Sequence, residues 1–154
     1  MKKIVIAALV LVMLLSLCGC AKKGFDAGKL QPSEYAGIEM NTLVQMFIKQ
    51  RTVTDATERL TLTLENTGEA DYSFDAVQRL EVLLDGVWYV VPNKSEAVTM
   101  QLFHLPAGST EEVEFVISGC YDKLVEGTYR IVKILVDADG ATALASAEFN
   151  IGRG

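Results

Sequence analysis

Nucleophilic or metal chemistry in this 154-residue sequence has to come from few side chains: three cysteines (Cys18, Cys20 and Cys120) and one histidine, His104. A Cys–His system would need Cys120 beside His104, with a carboxylate to orient the ring. A metal site built on one His and one Cys needs further ligands. Asp137-Ala138-Asp139-Gly140 opens like a calcium loop but lacks a Glu at the closing distance, so it reads as a hairpin turn. Glu111, Glu112 and Glu114 read as a solvated strand face, because paired-carboxylate hydrolysis would need a cleft. Trp88 or Tyr89 with Tyr121 could form a sugar-stacking platform, though core packing accounts for these rings more simply. Cys120 reads as a semi-buried structural thiol; the alternative is an intermolecular disulfide or a redox-sensitive thiol. This set leads us to expect no catalytic residue, no metal and no cofactor, hence no enzyme.

Cys20 stands in a different context. Met1-Lys2-Lys3 is a short basic start, and Ile4 to Leu17 is an apolar run interrupted only by Ser16. As a helix the run spans roughly 21 Å at ~1.5 Å per residue, short of the ~30 Å hydrocarbon core. It fits the apolar region of an export signal better than a stable membrane span. The run ends in Leu17-Cys18-Gly19-Cys20, which resembles the lipobox of bacterial lipoproteins. The small residues at 18 and 19 let an extended backbone enter the signal peptidase, which would cut between Gly19 and Cys20. The Cys20 thiolate would take diacylglycerol as a thioether, and the new N-terminus could be acylated as well. Two or three chains anchor stably where one is marginal. Cys18 is the poorer acceptor, since bulky Leu17 stands just before it. The competing reading is an ordinary secretory signal or membrane anchor with Cys20 incidental.

The chain carries 14 basic and 20 acidic residues, a formal net charge of −6. Loss of residues 1–19 removes Lys2 and Lys3 and no acid, leaving 12 against 20, a net of −8. Such a domain repels phosphate backbones, which argues against a nucleic-acid partner. It also gains nothing from anionic headgroups, so a covalent lipid would have to hold it to a membrane.

The elements that would carry these residues are strands. Residues 20–41 are polar, mixed and without periodicity, and read as a lipid-anchored tether whose last part packs as a leading strand. From residue 42 to 154 the period is two. Leu60, Leu62 and Leu64 alternate with Thr61, Thr63 and Glu65; Val113, Phe115 and Ile117 alternate with Glu112 and Glu114; Ala147, Phe149 and Ile151 repeat the pattern. Turn signals separate the runs at 65–68, 85–86, 106–108, 126–127 and 137–140. Strands are expected at 43–50, 58–66, 78–84, 87–91, 97–103, 111–118, 128–136 and 144–151. This makes an all-β, immunoglobulin-like antiparallel sandwich of seven to eight strands. Lys133 falls in phase with Tyr129 and Ile131, which implies either a bulge or a position past the core's edge.

Four pieces, in order, carry a resemblance. They are Leu64-Glu65-Asn66-Thr67-Gly68, the hairpin from Asp85 to Pro92, Leu105-Pro106-Ala107-Gly108-Ser109-Thr110, and the run from Leu124 to Lys133. The region from about Leu43 to Ile151 resembles the bacterial Ig-like (Big-type) domains of exported and lipid-anchored proteins, especially of Firmicutes. The resemblance implies the fold but no catalytic residues and no fixed ligand. Tyr129, after a Gly-containing corner, suits a tyrosine corner. The expected protein is a lipid-anchored, extracytoplasmic, non-catalytic module. It would be held to the cell membrane (the outer membrane in a Gram-negative cell) and meet an unidentified protein or envelope partner. The alternative is a module that binds carbohydrate or wall glycan through exposed aromatics.

Overall fold

The computed structural model describes residues 24–95 and 101–152. Gly19 and Cys20, the expected cleavage and lipid positions, lie outside them.

Among the described residues, nine strands form two antiparallel sheets packed face to face. The smaller sheet holds β1 (Val44–Ile48), β2 (Arg59–Asn66) and β7 (Thr110–Val116), in the order β1-β2-β7. The larger holds β3 (Tyr72–Asp75), β4 (Leu80–Leu84), β5 (Val87–Val90), β6 (Leu102–Leu105), β8 (Gly127–Asp137) and β9 (Thr142–Ile151). The sandwich follows from the period-two pattern. Leu60, Leu62, Leu64 and Phe115 point inward and are fully buried, against Phe74, Leu80, Tyr129, Ile131 and Leu135 of the larger sheet. Each such side chain contributes about 1.5–3 kcal/mol on burial.

β8 is the spine of the larger sheet. One side pairs with β9 through ten successive residues, from Gly127↔Ile151 to Val136↔Thr142. Its other side is shared: β4 pairs with Tyr129–Ile131 and β3 with Leu135–Asp137. Between β3 and β4 the chain lifts away from the spine, and Lys133 lies opposite the gap. Lys133 is therefore neither bulged nor past the edge, as its phase had implied. The β8–β9 register runs through it unbroken, and its side chain is 2% exposed. Its ammonium donates to the carbonyls of Asp75 (3.1 Å) and Val77 (2.9 Å), which the gap leaves without strand partners. The lysine supplies the donors that a continuous strand would have offered.

One expectation about strands needs correction. β3 was not anticipated: four residues with one core side chain, Phe74, between Asp71 and Asp75 give too short an alternation to read. Of the strand expected at 97–103, residues 97–100 lie outside the described residues, and Leu102–Leu105 is strand. The β4–β5 hairpin turns on Asp85 and Gly86, both with positive φ (49° and 80°), as a two-residue type I′ turn requires.

Residues 24–41, expected as part of a tether, are packed as a strap. Phe25 and Leu30 rest against the core, and Phe25 meets Tyr129 edge-on at 6.4 Å. Residues 31–33 then pair with the free edge of β5, through Val90 N–H to the Gln31 carbonyl and Ser33 N–H to the Trp88 carbonyl. The strap crosses the outer face of the larger sheet and joins β9 where Asn41 N–H donates to the Leu144 carbonyl. Composition hid this, because the strap binds by edge pairing and polar contacts rather than an apolar stripe.

The sandwich has two distinct ends. The corner end holds the Asp85-Gly86 turn, residues 49–58, residues 117–126 and the start of β8. The turn end holds the connections 67–71, 106–109 and 138–141. Asn66, 1% exposed, knits two of these connections together: its amide donates to the carbonyls of Ala70, Leu105 and Pro106.

Candidate functional site

The residues singled out from sequence do not converge. Along edge strand β6, Phe103 packs inward on Phe74 (5.2 Å), so exposed His104 faces the opposite side. Cys120 sits in the tight turn after β7, where its N–H and that of Tyr121 both donate to the Ile117 carbonyl. It is an unbridged, half-buried thiol and opens on a cleft of about 510 Å³ between the sheets, lined also by Phe103, Val113 and Lys133. His104 does not line that cleft.

Asp137 closes the β8–β9 hairpin, its Oδ1 accepting from the N–H groups of Asp139 (3.0 Å) and Ala141 (2.8 Å). The carboxylate is thus engaged in the turn. Glu112 and Glu114 stand on a wet face, paired with Lys49 and Arg59, each at 2.9 Å. Among the described residues, no group of three or more His, Cys, Asp or Glu side chains is placed to hold a metal ion.

The aromatics form no exposed pair among the described residues. Tyr121 is buried and stacked on Phe115 at 5.9 Å, and its hydroxyl donates to the Gln78 carbonyl. Burial pushes its phenol well above the usual range. Tyr129 forms the expected tyrosine corner: its hydroxyl donates to the Val125 carbonyl (2.7 Å) and accepts from Val125 N–H (3.1 Å). Burial raises its phenol to about 12. Tyr89 packs against the core, and Trp88 turns outward with the Arg130 guanidinium 4.5 Å from its ring centre.

That guanidinium belongs to a group the sequence reading passed over. Glu81 and Arg130 face each other across β4 and β8 on the outer side of the larger sheet, 1% and 7% exposed. Arg130 Nε donates to Glu81 Oε2 at 2.6 Å, and the Ser33 hydroxyl of the strap donates to Glu81 Oε1. A second group lies further along the strap. Arg79 grips Asp75 with two bonds of 2.9 Å and also meets the Tyr35 hydroxyl. Burial pushes the Asp75 carboxyl up, but the Arg79 bonds and the nearby Lys133 charge more than offset this and hold it low. Burial drives the Lys133 amine down to about 8, against the opposing pull of Asp75. One signal was available: Glu81 inside Leu80–Leu84 and Arg130 inside the apolar β8 are opposite charges in otherwise hydrophobic runs.

These contacts make the larger sheet's outer face a docking site for the chain's own strap. Beside the strap a groove of about 580 Å³ remains, lined by Tyr35, Ile38, Leu43, Ile134 and Leu144 among others.

A family model described as a bacterial Ig-like domain matches residues 40–150. No curated protein matches. Among solved structures, the archaellum periplasmic stator protein FlaG from Sulfolobus acidocaldarius is 20% identical, over 70% of this chain and 100% of that one, with a TM-score of 0.37. The soluble domain of PmoD from Methylocystis sp. ATCC 49242 (Rockwell) is 17% identical, over 71% and 90%, at 0.33. The DNA-bound alkylpurine DNA glycosylase AlkC of Pseudomonas fluorescens is 17% identical at 0.38; the match takes in 72% of this chain but 31% of that one. Superpositions this loose carry no functional inference. The family match covers most of the sequence and coincides with the two-sheet sandwich, so this chain belongs to the bacterial Ig-like domain family.

Proposed function

We propose that this chain is a lipid-anchored, extracytoplasmic, non-catalytic Ig-like module that presents its sandwich to a protein or envelope partner. The observation that carries this is the Leu17-Cys18-Gly19-Cys20 tetrad closing an apolar run, followed by an Ig-like domain. The domain's charged side chains support the non-catalytic part. Glu81, Arg130, Asp75, Arg79 and Lys133 are spent on one another, on backbone carbonyls or on the strap. The carbohydrate-binding alternative would use exposed aromatics: Tyr121 is stacked inside the core and drops out of such a platform, whereas Trp88 turns outward beneath the Arg130 guanidinium.

The test is intact-mass analysis of the protein from membranes of a bacterial expression host, beside Cys20→Ala. The expected product begins at Cys20 with added acyl mass, and the variant accumulates as unprocessed precursor. A soluble, unacylated product cut elsewhere would remove the anchor from the reading.

A further inference from the structure

We infer that the strap fixes which way the sandwich stands on the bilayer: the corner end lies toward lipid headgroups, and the turn end points away. This rests on the lipid-anchor reading above. The first observation is chain length. Cys20 and Phe25 are five residues apart, a reach of about 17 Å at full extension. Phe25 is seated on Tyr129, which lies two residues from the β8 start at the corner end and eight from Asp137 at the turn end. At ~3.3 Å per residue, the turn end is roughly 26 Å beyond Tyr129. An inverted domain would have to hold Phe25 that far off the surface, more than the connection can span.

The second observation is charge. Residues 65–71, 106–111 and 137–141 at the turn end carry Glu65, Glu69, Asp71, Glu111, Asp137 and Asp139, and no Lys or Arg. The corner end is mixed, with Lys49, Arg51, Arg59 and Lys123 among its acids. Anionic headgroups therefore repel one end much more than the other. Tether length and surface charge favour the same orientation, which leaves the turn-end connections that Asn66 holds together farthest from the bilayer.

The experiment uses the full-length, host-lipidated chain carrying Cys120→Ser, so that an introduced thiol is the one labelled. A dye is placed at Ser118→Cys on the corner end or at Ala138→Cys on the turn end. Each protein is reconstituted in phosphatidylethanolamine–phosphatidylglycerol vesicles bearing a headgroup quencher. The Ser118 label should be quenched at least roughly threefold more strongly than the Ala138 label, given the ~30 Å between the ends. Equal quenching, or the reverse order, in protein that floats with the vesicles would overturn the orientation. Protein that fails to float would defeat the anchor reading itself, a separate outcome. Inserting about twelve Gly/Ser residues between Lys23 and Gly24 lengthens the reach beyond the sandwich's length and should shrink the difference to what surface charge alone sustains, a remainder that high salt should remove. A difference undiminished by the insertion would remove the strap from the explanation.

Discussion

Both sheets place carboxylate–cation pairs on their outer faces, and the two settings could hardly differ more. On the smaller sheet, Lys49–Glu112 and Arg59–Glu114 cross the strands in open water, with side chains about half or more exposed. On the larger sheet, Glu81–Arg130 makes the same kind of cross-strand pair, but its side chains are 2% and 8% exposed beneath the strap. In water the Coulomb gain nearly cancels against hydration and side-chain entropy. Under the strap the desolvation is already incurred, so each partner depends on the other and on Ser33 to remain satisfied. The exposed pairs keep a face soluble; the buried one makes a segment of chain specific for one place on the sheet.

The comparison can be broken most severely at Glu81. Glu81→Ala should destabilise the domain by about 3–5 kcal/mol in urea unfolding, because it leaves the Arg130 guanidinium buried without a partner. Adding Arg130→Met should recover much of that loss. A loss below ~1 kcal/mol for Glu81→Ala would place the pair in water like its counterparts.

Lys133 gives a pH test of the same buried side. Its folded-state value of about 8 lies below the ordinary 10.5, so the unfolded chain binds the proton more tightly. The lysine therefore opposes folding at neutral pH, and stability should rise with pH across that window. The gain should be roughly 2 kcal/mol between pH 8 and 10. Above pH 10 the trend reverses, since Tyr121 and Tyr129 ionise less readily folded than unfolded. Lys133→Met should flatten the rise; an unchanged slope in that variant would assign it to other groups.

Ser33→Ala removes one hydroxyl from Glu81 and should cost about 1–2 kcal/mol. It should also speed amide exchange at Val90, whose N–H the strap accepts. The smallest effects belong to the open face: Lys49→Ala and Arg59→Ala should each change stability by less than about 1 kcal/mol, and less still in high salt.

Much of the sandwich was legible because its strands bury one face. The alternations of β2, β7 and β9, the Asp85-Gly86 turn and the tyrosine corner all follow from local rules that the fold obeys. What escaped reading depends on partners distant in sequence. Ser33 looks like any loop serine until Glu81, 48 positions away, comes to lie under it. Lys133 looks like a break in a core strand until β3 and β4 part opposite it. β3 itself has only Phe74 to declare it. The candidate site was less legible than the fold for the same reason: His104, Cys120 and Tyr121 are suggestive as residue types, and topology sends them to different faces.

The position of the spine strand in the gene order has a consequence for biogenesis. β8 and β9 occupy residues 127–151, near the end of synthesis, yet the larger sheet is assembled on them. Until they emerge, β3 has no spine partner, β4 has only its hairpin partner, and the strap has no complete sheet to dock on. A domain whose organising strand arrives last has mostly non-local contacts and nucleates slowly. Under the export proposed above, that delay would be useful, since a polypeptide lacking roughly its final fifth would lack the spine of its larger sheet while it passes. On that reading, folding would begin on the far side, once the spine is through.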